Sequence, residues 1–195
     1  MARAAAPARG ADRRLGRRHL LRLLALAFGV AVAGCGGGEQ EGSGDAAGGL
    51  AQLADEFLRV RHDLAPLLAK LQAELTDYGE VFTGDTVVAA IRHYDGYWRS
   101  PRVLGPTDRH SAYRLSHVTT EELAAGTGAA PTFPAGYRDV APRLQPGLTV
   151  HRITFHEPGQ SLGIDLDALV SVAGRLRLLP TPWLVLDVDE PGHSH

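Results

Sequence analysis

The chain changes its apolar period once, and that change constrains the fold more than any other feature. From Leu50 to Leu75 apolar side chains recur at intervals of three and four (Leu53, Phe57, Val60, Leu64, Leu67, Leu71), the stripe of helices lying on a core. In the last quarter they recur at intervals of two. Ile164, Leu166, Ala168, Val170 and Val172 alternate with polar Asp165, Asp167 and Ser171, so one strand face is core and the other is wet. Helices first and an antiparallel meander last predict an α+β domain, with N-terminal helices packed on one face of a curved sheet.

The boundaries follow from local signals. Pro66 divides the first stripe into helices over about 50–62 and 64–75, with Asp63 as the cap of the second. Asp85 is the expected cap of a helix from Thr86 to about Tyr97, whose stripe is Val87, Ile91, Tyr94 and Trp98; Asp77 to Phe82 reads as a single turn. Ser100-Pro101 and Gly105-Pro106 end the helical region. Strands are predicted over 111–118, 148–157, 162–172 and 175–179, with reversals at Pro158-Gly159 and Ala173-Gly174. Thr119-Thr120-Glu121-Glu122 matches a capping box for a short helix stopped by Gly126. The Gly- and Pro-rich stretch from Gly126 to Gly147 is a loop of a length that is either functional or poorly ordered. Pro180 and Pro182 close the sheet, with Trp183 over its edge.

Ahead of the domain, residues 1–34 hold seven arginines, one acid and the apolar run Leu20 to Gly34, interrupted by Arg22. A basic start, a short apolar core and small residues before a cut are the parts of a secretory signal, and the run is too short to cross a bilayer of about 30 Å comfortably. Val32-Ala33-Gly34-Cys35 resembles the lipobox of bacterial lipoproteins, which implies that residues 1–34 are removed and that Cys35, the only cysteine, carries lipid. The competing readings are a secretory signal cut elsewhere, leaving a free thiol, and an uncut signal anchor. Arg17-Arg18-His19-Leu20-Leu21-Arg22 resembles a twin-arginine export signal, leaving the export route open. Residues 35–49, rich in Gly, Ser and acids, read as a flexible linker, 50–186 as one domain, and 187–195 as a frayed acidic and His-bearing tail. The expected location is the bacterial cell envelope, lipid-anchored and facing the periplasm or the exterior.

Removing the leader leaves 13 of the 20 basic residues and 21 of the 22 acidic ones, a net charge near −8. That balance argues against nucleic acid as a partner. With its cysteine taken by lipid the domain has no disulfide, so its stability must come from the core, which a domain of about 140 residues can supply.

Candidate site residues are few. His117 shares a predicted strand face with Leu115, and His151 shares one with Ile153 and Phe155; Tyr94, Tyr97 and Tyr113 border the same inferred cavity. A buried, hydrogen-bonded histidine without catalytic duty is the plainer account of each. His151 and His156 lie on opposite strand faces, no His-Glu-x-x-His is present, and no metal or cofactor is expected. The element order resembles the cone-shaped fold of nuclear-transport-factor-two-like and ketosteroid-isomerase-like proteins. That resemblance implies a pocket in the mouth of the sheet and, for an enzyme, an inward carboxylate, whereas Asp165 and Asp167 are expected to point away. FPAGY, HEPGQSLG and GRLRLLPTPW are similar to segments of exported bacterial proteins without an assigned activity. Two functions follow as expectations. One is a non-catalytic lipoprotein, held to the membrane through Cys35, that binds a small apolar ligand or an envelope protein. The alternative is a cone-fold enzyme using His117 or His151 as general base.

Overall fold

The computed structural model describes residues 44–189. The leader, Cys35 and the end of the tail lie outside the described residues. The elements are α1 (Gly44–Arg59), α2 (Ala65–Leu71), α3 (Leu75–Val81), α4 (Thr86–Trp98), β1 (Ala112–Thr119), α5 (Thr120–Ala125), α6 (Gly136–Val140), β2 (Thr149–His156), β3 (Gly163–Val172) and β4 (Arg175–Leu178). Three 3₁₀ turns join them, at Ala130–Thr132, Ala141–Arg143 and Pro182–Asp189. The chain is α+β, and its sheet is an open antiparallel meander in the order β1-β2-β3-β4.

The helices do not all lie on one face, and this corrects the expected arrangement. Leu50, Leu53, Ala54 and Phe57 of α1 and Leu67, Leu68 and Leu71 of α2 pack with Ile153, Phe155, Leu166, Leu169 and Leu178 on one side. Tyr78 and Val81 of α3, Ala90 and Tyr94 of α4, Leu123 of α5 and Tyr137 and Val140 of α6 pack with Val118, Val150, Val170 and Val172 on the other. The cause lies in β3. His151 pairs with Leu169 but Ile153 pairs with Leu166, so Asp167 and Ala168 together oppose Arg152 in a β-bulge. The extra residue reverses the alternation. Ile164 and Leu166 therefore face α1 and α2, whereas Val170 and Val172 face the other layer, and the single wet face read from the alternation does not exist. A strand buried on both faces reads as a continuous apolar run, which Ala168-Leu169-Val170 is.

The chain passes between the two layers around the β4 edge. Leu71 belongs to the first layer and Ala73 to the second, and Gln72 between them forms a parallel bridge with Leu178. Arg177, 5 % exposed, anchors this crossing. Its Nη1 donates to the carbonyls of Lys70 (3.2 Å) and Gln72 (3.1 Å), and its Nη2 to Glu74 Oε1 at 2.7 Å. Its Nε lies 2.7 Å from Asp77 Oδ2, close but without the alignment of a hydrogen bond. Asp77 Oδ2 also accepts the Glu74 N–H at 2.8 Å, capping α3. Trp98, at the far end of α4, packs against both layers.

Some boundaries move. α1 begins at Gly44, inside the stretch read as linker, and α3 makes two turns where one was expected. Neither expected aspartate cap forms: Leu64 occupies the cap position of α2, and Asp85 sits before α4 without a side-chain cap bond. The Thr119–Glu122 box does form, Thr119 Oγ1 accepting the Glu122 N–H at 3.2 Å and Glu122 Oε2 accepting the Thr119 N–H at 2.9 Å, and Gly126 ends α5 in the left-handed region at φ 67°. The long loop is packed, since Phe133, Tyr137, Val140, Ala141 and Leu144 are all buried. Trp183 lies against α6, T-shaped on Tyr137 at 5.3 Å, and a Cβ at Gly136 would meet its ring at 2.4 Å. The last 3₁₀ turn runs to Asp189, past the point where the tail was expected to fray.

Removing Asp77 takes from the buried Arg177 its buried carboxylate partner and leaves it Glu74 and two carbonyls. Asp77→Ala is expected to destabilise the domain by about 1–3 kcal/mol. Asp77→Ala with Arg177→Met should recover most of that loss, which urea unfolding of the single and double variants checks.

Candidate functional site

His117 and His151 are direct partners across the β1–β2 pair and share the face that carries α1 and α2. Their ring centroids are 6.3 Å apart, inclined at 52°. They differ in environment. His151 is buried, 8 % exposed, as its strand pattern implied, and its Nε2 is out of solvent with no hydrogen-bond partner. His117, expected on a core face, is exposed, on the edge strand of the sheet. Burial, with a smaller contribution from His117, lowers the His151 pKa from 6.5 to about 4. At neutral pH the ring is an uncharged imidazole.

The three candidate tyrosines do not join them. Tyr113 lies on the same face, opposite Phe155, but four residues along β1 from His117, about 13 Å at the strand rise. Tyr94 belongs to the opposite layer, where its hydroxyl donates to the Pro180 carbonyl at 3.2 Å and its ring stacks on Tyr78 at 5.5 Å. Tyr97 stands beside Tyr94, in that second layer. The sheet separates Tyr94 and Tyr97 from the histidines. Asp165 and Asp167 flank Arg152, which donates to the Thr132 carbonyl at 2.7 Å and sits over the Phe133 ring at 4.1 Å. Burial raises the Asp167 pKa, against the pull of Arg152. Arg152, set between these carboxylates, ties the sheet to the loop before α6. Among the described residues no three His, Cys, Asp or Glu side chains converge as a metal set.

A groove opens elsewhere. It measures about 610 Å³ and lies between α2, α3 and α4, within the range of pockets that hold small molecules. Ala69, Ala73 and Leu75 line one wall, Ile91, Asp95 and Trp98 the other, with Tyr78, Tyr94 and Arg177 deepest. Leu75 is 70 % exposed at the lip, an apolar side chain left in water. The Trp98 Nε1 is out of solvent with no aligned acceptor, although it stands close enough to Tyr78 to temper that phenol. Burial first, then the charges of Asp77 and Asp95, pushes Tyr78 up to about 12, so its hydroxyl stays neutral. Tyr94 lines this groove, not the expected cavity beside His117 and His151. Tyr78, Leu75, Trp98 and Arg177 were missed, because their convergence depends on the chain crossing the β4 edge. The α4 stripe was their only local signal.

The buried histidine sets a pH dependence. As pH falls the unfolded chain takes up the proton first, so stability is whole above about pH 6.5 and declines towards pH 4. The loss amounts to at most about 3 kcal/mol by pH 4. His151→Leu should remove that part of the slope, as urea midpoints at pH 7 and pH 5 in the presence of a chelator will show.

No protein-family model matches the chain, and neither a curated protein nor a solved structure matches it.

Proposed function

We propose that the chain is a lipid-anchored protein of the bacterial cell envelope whose domain binds a small, mostly apolar molecule without catalysing a reaction on it. The observation that carries the binding role is the groove between α2, α3 and α4. Its lining is mixed, with apolar Ala69, Ala73, Leu75 and Ile91 and aromatic Tyr78, Tyr94 and Trp98 beside charged Lys70, Glu74, Asp95 and Arg177, and Leu75 stands in water at its lip. A ligand with a flat apolar body and a polar end suits that lining. The anchor rests on Val32-Ala33-Gly34-Cys35 and the arginine-rich leader before it. Within the α+β class the cone-like reading rests on element order. With helices on both faces of the sheet, the ligand is assigned to the interhelical groove and not to an open sheet mouth.

The enzyme reading has less support. A general base works best with a pKa near the operating pH, and His151 titrates at about 4. Neither histidine lines the groove.

Cys35→Ala should move the protein from the membrane to the soluble fraction on cell fractionation; retention with the membranes would end the lipobox reading. For the groove, anilinonaphthalene sulfonate serves as probe with the full chain in detergent. It should quench the fluorescence of Trp98, and Ile91→Glu should weaken its binding at least tenfold while leaving the far-ultraviolet spectrum unchanged. Equal binding by the variant would remove the groove from consideration.

A further inference from the structure

We propose that His117 and His151 together bind a divalent transition-metal ion of the zinc type, as a two-ligand site on the sheet face that carries α1 and α2. Both rings come from directly opposed residues of an antiparallel pair, positions whose Cβ atoms lie about 4.5–5.5 Å apart. Both therefore project from the same face. Their centroids are now 6.3 Å apart. Two imidazoles holding one zinc ion at about 2.1 Å each bring their centroids to about 5 Å. His117 is exposed on the edge strand, so its ring can swing that distance while the backbone pairing stays in place.

His151 supplies the second, independent observation. It is more than nine-tenths buried, yet its Nε2 lacks any hydrogen-bond partner. Buried polar atoms in folded proteins are nearly always partnered, and an unpartnered one calls for an explanation. Leu169, its neighbour on β3, has no side-chain polar atom to offer. A metal ion bridging to His117 satisfies that nitrogen without moving the strand. Imidazole nitrogen is a common ligand for zinc, copper and nickel, and ammonium or carboxylate partners are not needed for it. Two protein ligands leave the remaining positions to water or to a small donor, so the ion is held at an open site, in contrast to a closed four-ligand structural site.

The test uses the full chain in detergent micelles and zinc ion alone. Isothermal titration should show one site, and the ring resonances of His151 should shift in step with it. His117→Ala, a change at an exposed position, should weaken binding at least tenfold and abolish the His151 shift, with thermal unfolding confirming that the fold is kept. The variant His193→Ser/His195→Ser should bind as the parent does. Zinc binding that survives His117→Ala, that disappears with the tail substitutions, or that leaves the His151 ring unshifted would overturn the proposal.

Discussion

Arg177 is held by two carbonyls and two carboxylates at the place where the chain passes from one layer to the other. The fold depends on this contact, because α2 and α3 are separated by three residues yet pack on opposite faces of the sheet. Bringing a guanidinium out of water is costly, and a buried pair is only as good as the bonds that complete it. Here the completion is local. The carbonyls of Lys70 and Gln72 lie at the end of α2, where helical carbonyls lack partners, and Asp77 serves both the arginine and the start of α3. One side chain thus satisfies the end of one helix and orders the beginning of the next. Arg175 adds an outer contact to Glu74 at 3.1 Å, but it is half exposed and contributes little.

The bulge at Asp167-Ala168 has the complementary effect. By reversing β3 partway along, it lets one strand face α1 and α2 with Leu166 and Leu169 and face α4 and α6 with Val170 and Val172. It also leaves the Asp167 carbonyl free of the ladder, where the buried Tyr137 hydroxyl donates to it. The sheet becomes a partition, with the histidine pair on the side of α1 and α2 and the groove at its β4 edge, where α2 meets α3 and α4.

How much of this was legible depends on the range of the signal. The capping box at Thr119 and Glu122 was readable to the residue, since both partners lie within one turn. The meander was readable too, because each reversal carries its own turn residues and neighbouring strands pair in order. The two-sided sheet was not. Ala168-Leu169-Val170 was read as part of an alternation when it was a run, and a one-residue slip exchanges the faces of everything beyond it. Of the site residues, His151 lies buried on the face its strand pattern implied, though its Nε2 lacks the expected hydrogen bond. Tyr94 was taken to its neighbourhood because strand and helix faces carry no label saying which layer they meet. Arg177 and Asp77, a hundred residues apart, left no local trace at all.

Trp98 is the one side chain described as touching both layers. A partition between two apolar layers gives each of them the means to come apart by itself, and independent melting would make two transitions of one. The indole at the end of α4 works against that. Freeing either layer exposes part of the same ring, so neither can loosen without weakening the other's hold on it. The domain's cooperativity, the property that makes it a single folding unit and not two stacked ones, is concentrated at this residue and at the arginine of the β4-edge crossing.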